Sequence, residues 1–408
     1  MPVRLKIEYH ILNPQISQIT RITLINKICA YWPIQGNMHE FPVYLDNIIF
    51  SLQRAGGISV YWFELVNRLA SSTDRLVAFE HGATANNLFS NKLTNDIAIR
   101  RERKLLPDKV VRYLPLKACL EEPSIFHSSY YRISIQKNVA NIVTVYDFIY
   151  ERFRRGLSRI VHSWQKRFVL NLADGIICIS ESTKKDLLSY FPELGKKDIK
   201  VIYLGVSDAF RVLSGTTAVD RKIREIISTK YVVFVGARTA YKNFDVAVDV
   251  VSGMTDCRLL IVGGGELSYR EISRLKEKLA DRFWHCQSVD YTLLNIFYNN
   301  AFCLLYPSGY EGFGIPIIEA MSAGCPVVAV NVSSIPEACG HAGLLVNKPN
   351  SGDLIEKIKM LENASFRKEM IRKGRKDAGR FSWDECHLQT KEFYNKVFQE
   401  KFGIPFRQ

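Results

Sequence analysis

Two glutamates flank a glycine-rich turn in the segment LLYPSGYEGFGIPIIEAMSAGCPVVAV, residues 304–330, and lie eight positions apart at Glu311 and Glu319. The pattern predicts a strand, a glycine loop and then a helix opened by Pro316, because proline is tolerated at the first helical position. Gly324 then ends this helix. We expect the free amides of the helix start to face a cleft at the carboxyl edge of a parallel sheet, where they favour a bound phosphate.

The two carboxylates suit a ligand that carries hydroxyl groups. Glu319, one turn into the helix, can accept hydrogen bonds from a ribose diol, and Glu311 can accept them from the hydroxyls of a sugar. Gly312 and Gly314 let the backbone approach such a ligand without a side chain in the way. Two glutamates alone are more often solvent-facing residues of an ordinary strand-loop-helix unit, but the whole segment weighs against that interpretation.

A second cluster follows the apolar run of YVVFVGARTAYKNFD, in which a buried strand ends at Gly236. Arg238 and Lys242 come next, one helical turn apart, and could clamp a diphosphate. Arginine offers a planar fork and lysine a point charge, so together they could neutralise a leaving nucleotide without Mg²⁺. Both could instead be ordinary surface cations, which is the usual position of lysine and arginine.

Three weaker signals accompany these clusters. The segment RLLIVGGGEL predicts a strand followed by a tight glycine turn that includes Gly264, although a glycine triplet alone is often only a turn. Residues 288–290, with Val289 in the middle, precede a predicted helix at the edge of the same half of the chain. In the first half, Gly56 and Gly57 stand between a strand and a helix, where glycine backbone could approach a ligand.

The segment that holds both glutamates closely resembles the E-x7-E signature of family 4 retaining glycosyltransferases. It has EGFG, the proline, the second glutamate, the run AMSAGCPVV and a following Pro-Glu pair at 336–337. The resemblance covers the chain from about Val43 to the last helices. It implies an α/β, GT-B fold, in which two doubly wound Rossmann-like domains face each other across a cleft, with C-terminal helices at the domain boundary.

The resemblance also implies roles for individual residues. It implies catalytic roles for Asp147, Arg238, Lys242 and Glu311. It further implies contacts with a nucleotide-sugar donor at Gly56, Gly57, Gly236, Arg238, Lys242, Gly264, Val289, Glu311, Gly312, Phe313, Gly314, Ile315 and Glu319. No metal and no cofactor is expected, since the nucleotide sugar is a substrate.

The chain departs from the family pattern in the segment IVTVYDFIYERF, where Tyr146 and Asp147 stand in place of a His-Asp pair. Asp147 matches the family, whereas the role of the histidine is unassigned. His127 could substitute for it, although a lone histidine at a strand end is more often structural. Further along, Ser180 and Ser182 precede a predicted helix, and we take Ser182 as its cap.

A chain of 408 residues is too long for one ordinary core and suits two domains. Short apolar runs alternate with helical stretches in both halves, which predicts two parallel sheets wrapped by helices. We interpret the start as an extension or a start-site artefact and the end as a helix returning toward the first domain. The predicted limits are 1–37 for the extension, 38–206 for the acceptor-binding domain, 207–229 for a linker, 230–385 for the donor-binding domain and 386–408 for the helix.

The formal charge of +14 suits a nucleic acid, an anionic membrane surface or a phosphorylated ligand. The densest basic stretch, residues 100–117, is interleaved with apolar residues and could lie on anionic lipid or form a solvated helix face. No uninterrupted apolar span and no secretory signal is evident, which favours the cytoplasm. Nine scattered cysteines show no zinc-type spacing, so no metal site is predicted.

The segments DNIIFSLQRAGGIS and VTVYDFIYERF resemble bacterial enzymes that build O-antigen or capsule on a lipid carrier. Some of these enzymes use GDP-mannose, which makes it the expected donor, and a polyprenyl-diphosphate-linked oligosaccharide the expected acceptor. Other two-domain enzymes of this type remain as alternatives, namely a nucleotide-sugar epimerase or a glycan phosphorylase. A basic nucleic-acid-binding protein is the non-enzymatic alternative, but the chain has no recognisable motif for it and no nucleic-acid partner is expected.

Overall fold

The computed structural model describes residues 41–403, except residue 74 and the segments 82–86, 95–96, 103–105 and 215–218. The predicted extension 1–37 therefore lies outside the described residues. The described strands are β1 (Val43–Asp46), β2 (Leu76–Glu80), β3 (Ala98–Arg101), β4 (Ser124–Ser128), β5 (Val139–Val145), β6 (Gly175–Cys178), β7 (Asp198–Val201), β8 (Tyr231–Val235), β9 (Arg258–Val262), β10 (Phe283–Cys286), β11 (Cys303–Tyr306), β12 (Val327–Val330) and β13 (Gly343–Val346).

Helices connect most of these strands. They are α1 (Ile49–Leu52), α2 (Gly57–Ser72), α3 (Asp108–Val111), α4 (Ile149–Phe153), α5 (Leu157–Leu172), α6 (Glu181–Tyr190), α7 (Arg221–Ile227), α8 (Phe244–Ser252), α9 (Tyr269–Leu279), α10 (Tyr291–Asn300), α11 (Ile315–Ser322), α12 (Ile335–Cys339), α13 (Ser351–Met360), α14 (Ala364–Ala378) and α15 (Trp383–Phe402). Short 3-10 turns cover Ser90–Lys92, Pro192–Lys196 and Ala240–Lys242.

The strands form two sheets, one in each half of the chain. The first has the order β3-β2-β1-β4-β5-β6-β7 and the second the order β10-β9-β8-β11-β12-β13, and paired strands run parallel. Such sheets are covered by helices on both faces, which explains fully buried runs such as Val139–Val145. The strand order reverses beside β1 and beside β8, and ligands bind at the carboxyl ends of strands at such points. The predicted pair of doubly wound domains is confirmed.

The last helix, α15, returns to the first domain. Its ring of Phe398 stacks on Phe41 with centroids 4.1 Å apart, and its Val397 packs closely over Gly175 in β6. Ser382 caps the helix by accepting hydrogen bonds from two backbone amides, so the helix begins at Trp383 rather than at the predicted 386. The expectation that C-terminal helices pack at the domain boundary is confirmed.

Local predictions differ from the structure at three places. The basic stretch 100–117 is not one amphipathic helix: it begins in the edge strand Ala98–Arg101, and the only helix described within it is the single turn Asp108–Val111. Ser180, not Ser182, caps α6, because its hydroxyl accepts from the Thr183 amide at 3.0 Å. Pro316 occupies the second helical position, since α11 begins at Ile315 after Gly314 in a left-handed conformation.

A network of charged side chains is buried in the first domain at the carboxyl end of β1. The Asp46 carboxylate lies 2.5 Å from His81 Nε2 and 3.1 Å from Arg132 Nη1. Glu102 completes the network, at 3.1 Å from His81 Nδ1 and 2.9 Å from Arg132 Nη2. Two positive and two negative groups thus compensate one another in the core, which is the condition for burying charge. The network holds the ends of β1, β2 and β3 to the segment that carries Arg132.

This network predicts a loss of stability in alkaline solution. Although burial opposes protonation, Asp46 and Glu102 raise the pKa of His81 to about 9, above its unfolded value of 6.5. The stabilising contribution is therefore complete below pH 6.5 and is lost as the pH rises through 9. It amounts to roughly 3 kcal/mol of the free energy of unfolding at low pH. His81→Gln should remove that contribution and flatten the pH dependence in urea unfolding, whereas His341→Gln, at an exposed histidine, should behave as the wild type. An unchanged alkaline loss in His81→Gln would contradict this.

Candidate active site

The two domains are in close contact at Gly312, in the loop before α11. A Cβ atom built on Gly312 would lie 2.0 Å from the carbonyl oxygen of Tyr146 in the first domain. The Gly312 carbonyl accepts hydrogen bonds from the hydroxyls of Ser180 at 2.8 Å and Thr183 at 3.1 Å. Only glycine permits this approach, so the glycine loop joins the carboxyl edges of both sheets at one point.

Lys242 and Glu311 form an ion pair beside this junction. Lys242 Nζ lies 2.5 Å from Glu311 Oε1 and 3.3 Å from the hydroxyl oxygen of Tyr306 at the end of β11. Both charged side chains are mostly buried, with 13% and 11% of their surface exposed. The side chains come from opposite sides of the β8–β11 boundary, where the strand order reverses. The structure therefore brings a cation and a carboxylate together at the edge where parallel sheets bind ligands.

Arg238 is tied to the glycine turn that follows β9. Its guanidinium donates to Glu271 at 2.7 Å and to the carbonyls of Gly263, Gly265 and Glu266 at 2.8, 3.2 and 2.7 Å. Four of its five N–H groups are thereby occupied. A Cβ atom at Gly264, where φ is +77°, would lie 2.3 Å from Arg238 Nη1. Arg238 therefore orders the glycine turn, which requires glycine, and has one N–H left for a ligand.

Two helix starts face each other across the cleft. A Cβ atom at Gly57, the first residue of α2, would be in ordinary contact with Ile315, the first residue of α11, at 3.6 Å. Gly56 precedes α2 and Gly314, with φ of +107°, precedes α11; neither helix has a side-chain cap. In α11, Pro316 has no N–H and the Ile317 amide donates to the Gly314 carbonyl at 2.9 Å, so the Ile315 amide is the donor that remains there. Together with the first amides of α2, it makes this a favourable place for an anionic group.

Glu319 lies one turn into α11 and is buried. It accepts a hydrogen bond of 3.3 Å from the hydroxyl of Tyr298 on α10. Burial raises the pKa of Glu319 to about 7, although the hydrogen bond from Tyr298 opposes part of this increase. The Glu319 carboxyl is therefore partly protonated near neutral pH, and additional hydrogen-bond donors would favour its charged form.

Asp147 is at the carboxyl end of β5, beside the Gly312 junction. Its Oδ1 accepts from the Ile149 amide at 3.0 Å, and its backbone carbonyl accepts from Lys166 Nζ at 2.9 Å. Burial raises the pKa of Asp147, while the charge of Lys166 opposes the increase. The neighbouring Tyr146 does not replace a catalytic histidine, because its hydroxyl donates to the Ser129 carbonyl in the core at 3.1 Å.

His127 is a core residue and not a substitute for the family histidine. It is fully buried between the Tyr394 hydroxyl at 2.5 Å and the Thr144 hydroxyl at 2.9 Å. Burial lowers the pKa of His127 to about 3, so the ring is neutral. The histidine joins α15 to the first sheet, which was the alternative, structural interpretation.

A cavity of about 210 Å³ opens beside Asp147 in the first domain. His162 from α5 lines it, stacked on Tyr150 with centroids 3.8 Å apart and 2.9 Å from the Tyr130 hydroxyl. Arg112 lies over the Tyr130 ring at 4.3 Å on the same wall. Aromatic faces with a few polar groups are typical of sites for sugars and other small ligands. The sequence pattern did not indicate these residues, because they come from separate elements.

Two predicted residues take other positions. Phe313 is buried against Phe381 and Tyr203 at the domain boundary, with centroids 5.3 and 6.0 Å away, so its side chain is not available to a donor. Its predicted contact can involve only the backbone. Val289 is half-buried against the core, and no described contact links it to the residues around Lys242. Gly236 follows directly after β8, with φ of +115° and open space around its missing side chain.

Residues that the sequence analysis gave no role hold the two domains together. The Glu337 carboxylate accepts from the amides of Glu181 and Ser182 at 2.8 and 2.7 Å, and so caps α6 from the other domain. The Tyr310 hydroxyl accepts from the Phe148 amide at 3.0 Å and donates to Asp186 at 2.8 Å. Glu337 belongs to a motif already noted, but only the docked structure shows its partner.

Comparisons with known families match both halves of the chain. The model for Glycosyltransferase Family 4 matches residues 55–210, and the model for Glycosyl transferases group 1 matches residues 217–377. The first covers the domain with the Asp147 cavity, and the second covers the domain with Lys242 and both glutamates.

Individual relatives agree with these family models. The O-antigen chain mannosyltransferase B of Escherichia coli is 46% identical over 99 residues, which are 24% of this chain and 26% of that protein. The chain also spans only 49% to 62% of the three curated relatives that follow. Sucrose-phosphate synthase of Thermosynechococcus elongatus has the same fold, with a TM-score of 0.71 and 20% identity over 88% of this chain and all of that one. Anabaena Alr3699/HepE, solved with UDP-glucose, gives 0.62 and 16% over 86% and 99%.

Proposed function

Because this chain belongs to the family 4 glycosyltransferases and has their two-domain GT-B fold, we propose that it transfers mannose from GDP-mannose to a lipid-linked oligosaccharide. The product is a bacterial surface polysaccharide of the O-antigen or capsule type, and the enzyme retains the anomeric configuration without a metal ion. It works in the cytoplasm, on the inner face of the membrane. The match to an O-antigen chain mannosyltransferase supports the choice of sugar and pathway.

The observation that carries the proposal is the Lys242–Glu311 pair at the strand-order reversal, opposite the uncapped start of α2. In the proposed complex, Lys242 and the first amides of α2 and α11 bind the diphosphate, with the last N–H of Arg238 as a further donor. Glu311 accepts hydrogen bonds from the sugar and Glu319 from the ribose. The side chains of Lys242 and Arg238 are already in position and mostly buried, so they favour charge that develops on the leaving group.

The acceptor occupies the cavity beside Asp147. Its hydroxyl approaches the anomeric carbon on the face from which the nucleotide leaves. The bond between that carbon and the diphosphate breaks, the bond to the acceptor oxygen forms, and the acceptor proton passes to the departing phosphate oxygen. Asp147 orients the acceptor, and Arg112 binds an anionic part of the acceptor at the rim.

The test is a donor panel. Purified full-length protein is incubated with GDP-, UDP- and dTDP-sugars, with and without a polyprenyl-diphosphate oligosaccharide, and nucleotide release is measured. Acceptor-stimulated release from GDP-mannose, unaffected by EDTA and with an α-linked product by NMR, is the expected result. Nucleotide release from another donor would refute the assignment of GDP-mannose. Accumulation of a free epimer, or breakdown of a glycan that depends on phosphate, would refute a transferase activity. No turnover with any donor would refute the whole proposal.

The raised pKa of Glu319 predicts how donor binding depends on pH. If the ribose donates to the carboxylate, affinity should rise with pH until about 7 and should fall by up to about tenfold per pH unit below it. Glu319→Gln should bind weakly without this dependence. Tyr298→Phe removes a hydrogen bond that lowers the pKa, so its midpoint should shift upward. Calorimetric titration with GDP-mannose measures each midpoint, and a pH-independent wild-type affinity would contradict the assignment.

A further inference from the structure

Helix α5 exposes an apolar face to solvent. Leu157 is 79% exposed, Ile160 62%, Trp164 66% and Phe168 50%, and they recur at intervals of three and four residues. Trp164 and Phe168 stack with ring centroids 5.5 Å apart. Such a stripe normally faces a protein core, but here it is on the outside. A contiguous exposed apolar face usually marks a surface that binds something.

The opposite side of the same helix is already used. His162 and Lys166 point inward, where His162 lines the cavity and Lys166 donates to the Asp147 carbonyl and pairs with Glu151 at 3.0 Å. Because the polar side of α5 packs inward, the apolar stripe lies on the surface. The helix has two faces, one toward the candidate acceptor site and one toward solvent.

Charge decides which partner fits. Residues 152–173 contain five arginines and one lysine and no aspartate or glutamate. Arg154, Arg155 and Arg159 are exposed at the start of α5, and Arg167 is exposed further along, where it pairs with Glu193. An apolar stripe with aromatic rings and flanking arginines is the pattern of a helix that lies in the interface of an anionic bilayer.

A second copy of the chain and the segment 1–40 fit the exposed face of α5 less well. A second copy would bring the same arginines face to face. Residues 1–40 contain two lysines, two arginines and two glutamates. Their net charge is therefore positive, like that of the surface they would cover. Among the described residues, no helix is both long and apolar enough to cross a membrane.

We propose that the exposed face of α5, made of Leu157, Ile160, Trp164 and Phe168 with Arg154, Arg155 and Arg159, binds the surface of an anionic phospholipid bilayer. Trp164 and Phe168 enter the headgroup region, and the arginines bind lipid phosphates. The cavity beside Asp147 is then held close to the bilayer. The biological purpose of this contact rests on the proposed lipid-linked acceptor, but the binding itself does not.

The test is flotation of the full-length protein with vesicles, in the absence of donor and acceptor. Wild type should float with phosphatidylcholine vesicles that contain phosphatidylglycerol and not with phosphatidylcholine alone, and salt should weaken the binding. Trp164→Ser/Phe168→Ser should lower the apparent affinity at least about tenfold. Arg155→Gln/Arg159→Gln should lower it by roughly tenfold.

Matched controls remove similar groups from other exposed positions. Tyr269→Ser/Leu388→Ser removes two exposed apolar side chains, and Arg221→Gln/Lys222→Gln removes two exposed cations, so both should float as the wild type does. Hydrogen exchange should show vesicle-induced protection in residues 157–172. Wild type that fails to float, or α5 variants that float normally, would overturn the inference. An α5 double variant that only dissociates an oligomer would assign the face to a second copy and would also overturn it.

Nucleotide release without vesicles separates this inference from the proposed function. Trp164→Ser/Phe168→Ser should release nucleotide from the soluble donor at the wild-type rate, because neither side chain lines the cleft. A protein that binds anionic vesicles but uses no sugar nucleotide would support the membrane face and refute the proposed function. A protein that turns over GDP-mannose but never binds vesicles would do the reverse.

Discussion

Gly312→Ala is expected to lower kcat/KM about 100-fold or more while both domains remain folded. The new Cβ atom would lie 2.0 Å from the Tyr146 carbonyl oxygen, which is backbone and cannot rotate away. The domains must separate locally, and the separation moves Glu311 and the start of α11 away from Asp147. A displacement of about 1 Å in a preorganised site is enough for a loss of this size.

The control for this substitution is Gly195→Ala, because its Cβ atom would only touch the end of Leu188 at 3.8 Å. Steady-state kinetics gives the activity, thermal unfolding reports the domain cores, and small-angle scattering reports the distance between domains. We expect Gly195→Ala to match the wild type in all three. A Gly312→Ala enzyme with wild-type kcat/KM would show that the close approach is not part of the active arrangement.

Lys242→Ala is expected to lower kcat about 10² to 10³-fold, as removal of one preorganised donor to a developing negative charge does. The effect should exceed the effect on donor affinity, because the diphosphate gains charge as the bond to the sugar breaks. The substitution also leaves the mostly buried Glu311 without its cation. Loss of one partner of such a pair is costly in itself, so the stability of the variant must be measured beside its activity.

Two comparisons isolate the catalytic part of that loss. Lys230→Ala removes a lysine of the same domain that pairs with Asp256 and Glu362 at the surface, and it should leave kcat unchanged. Lys242→Ala/Glu311→Ala should lose less than the sum of the single losses, because the two side chains are in contact. Additive losses would mean that the pair does not act as a unit, and an unimpaired Lys242→Ala would remove the basis of the proposed function.

The closed arrangement of the two domains combines the packing of Phe313 against Tyr203 and Phe381 with polar contacts at the domain edges. Glu337 supplies the missing acceptors at the start of α6, and Ser180 and Thr183 return hydrogen bonds to Gly312. Each of these groups would be solvated if the domains separated, so the net energy of each contact is small. Opening to admit substrates is therefore compatible with this interface, and the glycine loop at its centre is also the loop of the site.

The sequence by itself determined the fold class and both parallel sheets, and it predicted the segment in which the candidate site lies. Apolar runs separated by helical stretches suffice for that, because parallel strands must be buried on both faces. The loop and helix start of the Glu311–Glu319 segment were also predictable, because a glycine before a helix and a proline at its start act through local backbone geometry. A helix was wrong for the start of the basic stretch 100–117, because strand pairing, which is not local, sets the conformation of Ala98–Arg101.

Only the tertiary structure decided how individual side chains are used. It placed Arg238 on the Gly263–Glu266 turn, Phe313 at the domain boundary and His127 in the core, because these partners are distant in sequence. It also decided the direction of α5. Periodicity identifies an apolar stripe but not whether that stripe faces the core or the solvent. In this chain the polar face of the helix packs inward, where His162 lines the cavity beside Asp147, and so the apolar face of Trp164 and Phe168 is left outside.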